Sequence, residues 1–570
     1  MRGARASSTA GSAGSSARAS TAGGSGGSSI PASTAVDSAG PRAPAGEQAA
    51  DLKPGTLAGS DRLPGWLVVV VPALVELIVG GYRISGPSLW RDEAATISGS
   101  QRPLSAIMAL TLHQDAVHGI YYLLMHVVVA IGGVTETALR LPSLIAMCLA
   151  VGLTAALGQR LADNSALPAP KLTGLLAGLL VVVVPLTTRY AQEARPYALT
   201  TLFAVLATYL LVRAAASGRW PWWAGYAAAL AVTGLVNLFA VLLAVAHGLA
   251  VFAARTTGPG VQPPPGTRPA SRTLSRWLIA TAIAGVLLAP LAVASIKQSG
   301  QLNWVTRPDP STVASLMRDF SGATLLIPVI AALGILGCVA GPGLRRGGFT
   351  LGWVALPWLL VPPVLLLAIS LADPLYVERY VVFCLPALSL LAAAGLVWLI
   401  KLSGEAATKR GIPAGRTRLL AVLPSALLAA AIIGGLVGPQ LAIRLPSARA
   451  DNLRAVAAVL GAHERPGDAI LYLPWDTAVI SRAYPVPYAK LRDVGLGQTP
   501  IASATLRGLP AAPRVMLGRL RFVSRAWTVQ WIPPVPSAGP VRIGLVTGSG
   551  LRLIGRWHIE SVLLSLYARS

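Results

Sequence analysis

The chain has 570 residues, 54% of them hydrophobic and only 12% charged, and its mean hydropathy is +0.62. Soluble domains carry roughly twice that share of charge, so a soluble globular protein is excluded and lipid is the main solvent. The net charge of +25 does not point to nucleic acid, because Lys and Arg sit in short loops between apolar runs, where the positive-inside rule puts them.

In chain order, residues 1–62 are mostly Ser, Ala, Gly and Thr with scattered Arg and Pro. Such a stretch buries too little apolar surface to fold. No short apolar core with a cleavage site stands near Met1. A disordered cytoplasmic tail is expected, not a signal peptide.

From 63 to 444 the pattern predicts a polytopic α-helical membrane domain. Apolar runs of about 20 residues fall at 66–83, 138–158, 172–189, 196–213, 221–236, 238–254, 277–295, 321–341, 350–371, 380–400 and 418–441, giving about eleven spans. A further apolar segment, 119–133 (GIYYLLMHVVVAIGG), is short for a crossing and contains His126. Parity decides its place. If 119–133 lies in the interface and the N-terminus is cytoplasmic, Arg160, Lys171, Arg213, Arg219, the arginines of 255–276, Arg345, Arg346 and the cations of 401–418 fall on one side, as the rule requires. If it crosses, the most basic loops move outside. Cys148, Cys338 and Cys384 all lie in apolar runs and read as small buried hydrophobes, with no disulfide framework or metal site.

That threading puts the acidic stretches together on the outer surface. LWRDEAAT (89–96) follows the first span; Asp92 and Glu93 there are either an acidic cap on the helix that follows or part of a catalytic site beside the interface anchor Trp90. HQDAVHGIYYLLMH offers His113, Asp115 and His118, which are ligand types for a divalent cation or the polar edge of an interfacial helix. TRYAQEARPYAL (188–199) sets Glu193 between Arg189 and Arg195, and two guanidiniums can grip a phosphate. The plain alternative is a loop whose Pro196 starts the next helix. ERYVVFCLPALSLL opens a late span with Arg379 and Tyr380, either a snorkelling Arg and an aromatic-belt Tyr or a phosphate grip.

Residues 445–570 are expected to form a small soluble α/β domain outside the membrane. ADNLRAVAAVLGAHERPGD reads as a helix closed by Gly and Pro, AILYLPW as a strand, and 541–547 and 551–559 as further strands.

Taken in order, the Asp-Glu loop, the His/Asp stretch with GIYYLLMH, RYAQEARPYAL and ERY resemble the GT-C glycosyltransferase superfamily. The likeness is greatest to the bacterial branch related to protein O-mannosyltransferases and to the aminoarabinose transferases of lipid A, over about 66–400. The resemblance implies a membrane glycosyltransferase that moves a sugar, mannose first, from a polyprenyl-phosphate donor to a lipid, glycan or protein acceptor on the extracytoplasmic face of the plasma membrane. It implies catalytic carboxylates at Asp92, Glu93 and Glu193, with Asp92 as general base of one inverting displacement. It also implies donor-phosphate binding by Arg195 or Arg379, next to Arg189 and Tyr380. His113, Asp115 and His118 stand as acceptor or metal candidates, and a divalent metal is the one candidate cofactor. The second loop reads Gln-Glu where the family carries an Asp-containing pair, and the β-trefoil insertion of the protein mannosyltransferases is missing. No Gly-rich nucleotide loop occurs. The competing reading is a transporter or lipid flippase, set back by the lack of a repeat and by charges at the surface instead of mid-span. A non-enzymatic cell-wall scaffold is a third.

Overall fold

In the computed structural model, residues 63–255, 270–340, 348–532 and 543–569 are described. The expected tail at 1–62, with Arg345 and Arg346, lies outside them. The described residues fall in one compact unit.

Its first part is a set of apolar helices. In order they are α1 (Gly65–Gly81), α2 (Arg91–Ser100), α3 (Leu104–His113), α4 (Gly119–Gly132), α5 (Glu136–Asn164), α6 (Pro170–Val183), α7 (Pro185–Ala191), α8 (Tyr197–Ser217), α9 (Trp220–Val236), α10 (Leu243–Ala253), α11 (Ala270–Lys297), α12 (Pro310–Ser321) and α13 (Ile327–Val339). Three more run over Leu351–Ala372, Leu385–Lys409 and Ala414–Ala442, and a 3-10 turn over Glu378–Cys384 precedes the second of them.

Among the described residues, six helices are long and apolar enough to cross a membrane, or eight if the bent pairs α6/α7 and α12/α13 each count as one span. The count of about eleven is therefore not reproduced by length and composition. The difference lies in α1 and α9, each of 17 residues, and in Leu238–Ala253. A 17-residue helix rises about 25 Å, short of a hydrocarbon core of about 30 Å. The 14-residue α4 is shorter still.

Small residues set the helix spacing, as they must where lipid supplies no hydrophobic drive between helices. A Cβ on Gly337 of α13 would collide with the Leu391 carbonyl oxygen, and one on Gly395 with the Leu333 carbonyl oxygen. Two breaks redirect the chain. Pro185 has no N–H to continue α6, and α7 leaves it at 70°. At Gly322 a positive φ of +77°, open to glycine without strain, ends α12, and α13 departs at 83°.

The C-terminal part carries a five-stranded sheet in the order β2-β1-β5-β7-β6, built from β1 (Ala469–Leu473), β2 (Arg492–Asp493), β5 (Arg525–Trp531), β6 (Leu551–Ile559) and β7 (Val562–Arg569). β3 (Leu496–Gln498) and β4 (Leu509–Pro510) form a separate antiparallel pair. β2, β1 and β5 run parallel, and β7 and β6 add antiparallel. β1 and β6 fall where the apolar pattern puts them, and Leu453–His463 is helical. The strand expected at 541–547 is not found: Gly544–Thr547 is one turn of helix, and 541–542 lie outside the described residues. Four apolar residues closed by Gly548 and Gly550 offer no length for a ladder.

This sheet does not stand apart from the helices. Trp527, Val529 and Leu564 share one hydrophobic core with Leu89, Ala94 and Ile97 of the first outer segment, Tyr121 and Met125 of α4, and Ala194. The first outer segment is thus packed between the helical bundle and the sheet.

Candidate active site

Arg91, Asp92 and Glu93 occupy the first turn of α2, where the partial positive charge of the helix N-terminus favours carboxylates. Successive side chains on a helix point about 100° apart, so the three cannot share a partner. Arg91 faces the sheet: Nε and Nη2 donate to Asp451 at 2.8 and 2.6 Å, and the guanidinium lies 4.1 Å from the Trp531 ring centre. Glu93 faces inward and is fully buried. Its carboxylate takes two bonds from Arg140 at 2.9 and 2.8 Å and one from the Ala194 amide at 2.9 Å. Arg140 also donates to the carbonyls of Ile84, Pro87 and Ser88. This ion pair fastens the second outer loop to α2.

Asp92 is left to face a shared rim. Its Oδ2 lies 3.7 Å from Nη2 of Arg379, is buried, and accepts no hydrogen bond. Burial works against the charged carboxylate, but Arg379, Arg195, Arg91 and His118 together outweigh it and hold Asp92 below the usual 3.8. Arg379 is positioned by the 3-10 turn that opens the late span, and its guanidinium lies 5.5 Å from the Trp304 ring centre and 5.8 Å from that of Tyr380. Tyr380 packs against Phe239 at 5.1 Å, and its carbonyl accepts from Asn237.

Arg195 reaches the same rim from the loop between α7 and α8. Nη1 lies 3.5 Å from the Asp92 carbonyl oxygen and Nη2 2.7 Å from His118 Nε2. Since a guanidinium only donates, His118 Nε2 accepts, and its Nδ1 therefore donates to Asp115 Oδ1 at 2.7 Å. Tyr122 donates to the other Asp115 oxygen. Burial would raise the Asp115 carboxyl, yet His118, Arg195 and Tyr122 keep it well below the usual range.

Glu193 lies one residue before the Ala194 amide and points elsewhere. It is buried, 3.8 Å from Arg449 Nε, and neither carboxylate oxygen accepts a hydrogen bond. Burial pushes its carboxyl up against the opposing pull of Arg449 and Arg189. Arg189 sits 5.8 Å from the Tyr190 ring centre and interacts with Glu193, Glu378 and Asp319.

The structure therefore brings Asp92, Arg195, Arg379 and Tyr380 together, with Asp115 and His118 behind Arg195. Glu193 and Arg189 form a neighbouring buried cluster with Arg449. His113 stands apart: it is exposed, and its Nδ1 is bonded to the Ala109 carbonyl. Among the described residues no three His, Cys, Asp or Glu side chains gather as a metal site, so His113, Asp115 and His118 do not form the cluster their spacing suggested. Sequence reasoning missed Arg140, Arg449 and Trp304. Arg140 did leave a signal, a charged residue inside the apolar run ALRLPSL.

The fold has known counterparts. A sequence model of the dolichyl-phosphate-mannose-protein mannosyltransferase family matches residues 120–258, which span α4 to α10. ArnT from Cupriavidus metallidurans in the apo state superimposes with a TM-score of 0.55 at 16% identity, over 87% of this chain and 97% of that one. The chain has a GT-C fold. The same enzyme bound to undecaprenyl phosphate gives 0.54 at 15% identity over the same shares. No curated protein sequence matches the chain. The chain is thus similar in one segment by sequence to the dolichyl-phosphate-mannose-protein mannosyltransferase family, and over most of its length by fold to ArnT, which is seen bound to undecaprenyl phosphate.

Proposed function

We propose that this GT-C chain transfers a sugar from a polyprenyl-phosphate donor to a hydroxyl acceptor, with inversion and with Asp92 as general base. The observation that carries the reading is the environment of Asp92, one ionised carboxylate whose Oδ2 accepts no hydrogen bond, facing Arg379 and Arg195. The two guanidiniums offer N–H donors to the rim, with Asp115 behind Arg195 through His118, and a sugar phosphodiester supplies oxygens for them to grip.

An acceptor hydroxyl needs a base within hydrogen-bond reach. Asp92 Oδ2 takes the proton as the acceptor oxygen attacks the anomeric carbon. The bond from that carbon to the phosphate oxygen breaks, and the charge that grows on the lipid phosphate falls to Arg379 and Arg195. One displacement inverts the centre. Glu93 takes no part in proton transfer; with Arg140 it positions Asp92 and Arg195. Glu193 with Arg449 and Arg189 shapes the floor beside the site. A narrow apolar crevice lined by Leu180, Val183, Phe320, Ile330 and Leu436 lies beside the two helix breaks and offers hydrocarbon surface to an isoprenoid tail.

Mannose is taken as the donor sugar, on the description of the matched family. The site is placed on the outer face of the plasma membrane. In support, Arg213, Arg219 and Arg276 meet near the α8–α9 turn, at the helix ends away from Asp92, where the positive-inside rule puts the cytoplasm. The test is incubation of membranes containing the full chain with radiolabelled polyprenyl-phosphate mannose, and separately with the arabinose donor. Lipid, glycan and protein fractions are then extracted. Label in one fraction above that of membranes lacking the chain is expected. Absence of label with both donors, or label movement across vesicles with no new glycosidic bond, overturns the proposal.

A further inference from the structure

An open cavity of about 190 Å³ lies beside the rim, between the segment after α11, the first turn of α12 and the residues before the 3-10 turn. The lining includes Trp304, Thr306, Thr312, Tyr376 and Glu378. Tyr376 is only 6% exposed and its hydroxyl has no hydrogen-bond partner, which is uncommon for a buried polar atom. A ligand that can both donate and accept would satisfy it.

The lining also narrows the ligand. An anion is disfavoured by the Glu378 carboxylate, and a hydrocarbon chain by that carboxylate and the two threonines. The exposed Trp304 indole offers a flat apolar face, with the unpartnered Tyr376 hydroxyl, the threonine hydroxyls and a carboxylate around it. This is the chemistry that takes a neutral sugar ring, whose C–H face packs on aromatic carbon while its hydroxyls donate to carboxylate and share bonds with threonine. The position agrees. Trp304 lies 5.5 Å from the Arg379 guanidinium, which in turn lies 3.7 Å from Asp92.

We propose that this cavity is a carbohydrate subsite that holds a neutral sugar ring next to Arg379, supplied by a glycan acceptor or by the donor's own sugar. Its part in turnover rests on the glycosyl-transfer reading above; saccharide binding itself does not. The test is saturation-transfer NMR on the purified full chain with methyl α-mannoside, linear mannotriose and methyl α-arabinofuranoside as probes. Wild type and Asp92→Asn are expected to show transfer to at least one probe. Trp304→Ala and Glu378→Gln are expected to reduce it at least fivefold. Absence of transfer from all three probes in wild type, or undiminished transfer in the lining variants, overturns the proposal. If Trp304→Ala does not fold, the near-isosteric Glu378→Gln decides. Adding polyprenyl-phosphate mannose separates the two sources: a signal that persists assigns the ring to the acceptor, and displacement assigns it to the donor sugar. A chain that transfers label yet binds no probe loses the subsite and keeps the transferase reading. A chain that binds saccharide and transfers no label does the reverse.

Discussion

Arg91, Asp92 and Glu93 are consecutive in sequence and end in three different environments, because a helix turns about 100° per residue. The buried Glu93–Arg140 pair is fully shielded on both sides. Removing one charge from such a pair leaves the other uncompensated, at a cost of about 3–5 kcal/mol. Glu93→Gln is therefore expected to lower the unfolding midpoint in detergent far more than Asp92→Asn does, as differential scanning fluorimetry will show. Asp92 itself has a pH signature. In the proposed mechanism deprotonated Asp92 is the active form, so activity is expected to fall as pH drops through its pKa. In the free chain that pKa is below 3.8, since Arg379 and Arg195 outweigh burial. A bound phosphodiester offsets those guanidiniums, so the pKa rises on donor binding. The acid limb of kcat is expected at higher pH than that of kcat/KM for the donor, and coincident limbs would sink this coupling. The sequence alone could single out Asp92 and Glu93 as a charged pair just after the first apolar helix. It could not tell the rim-facing carboxylate from the clamp, because that depends on which α2 face Arg140 approaches, 47 residues away in the chain.

At the scale of elements, the apolar runs were legible wherever a helix is long. Arg272–Lys297 and Arg416–Ala442 are spans by any count. They misled where the chain bends: one apolar run over 172–189 becomes α6 and α7 at 70°, since Pro185 breaks the backbone ladder without lowering hydropathy. The His113, Asp115 and His118 spacing failed for a similar reason. A helix ends at His113 and Asp115 takes a left-handed φ of 63°, which separates His113 from the hydrogen-bonded Asp115 and His118. Close helix crossings carry their own test. Gly395 leaves no room for a side chain against Leu333, so Gly395→Leu is expected to force α13 away from Leu385–Lys409. Overpacking of this kind costs about 1–3 kcal/mol. A lower unfolding midpoint with donor affinity retained would bear this out, and an unchanged midpoint would show that the helices part freely.

Across the whole molecule, segments far apart in sequence meet at one end. Gln298, beyond α11, accepts from the Ala116 amide and donates to the Thr111 carbonyl. Leu506 donates to Gln114, Arg449 bonds the carbonyls of Arg189 and Gln192, and Arg379 reaches Asp92. That convergence was legible in the sequence through the charge asymmetry of the loops, since sidedness follows from counting Lys and Arg. The role of the C-terminal sheet was not. Its contact with α2 depends on long-range packing around Trp527 and on the Arg91–Asp451 pair, for which no local pattern exists. With the site gathered at one rim, the decisive measurement is turnover of wild type and Asp92→Asn side by side on the same radiolabelled polyprenyl-phosphate sugar. Matched amounts of folded protein are required. Loss of a positioned base costs roughly 10²- to 10⁴-fold, so a fall of at least a hundredfold with the unfolding midpoint held is expected. Equal turnover in the two proteins would remove Asp92 from the chemistry and the proposed mechanism with it.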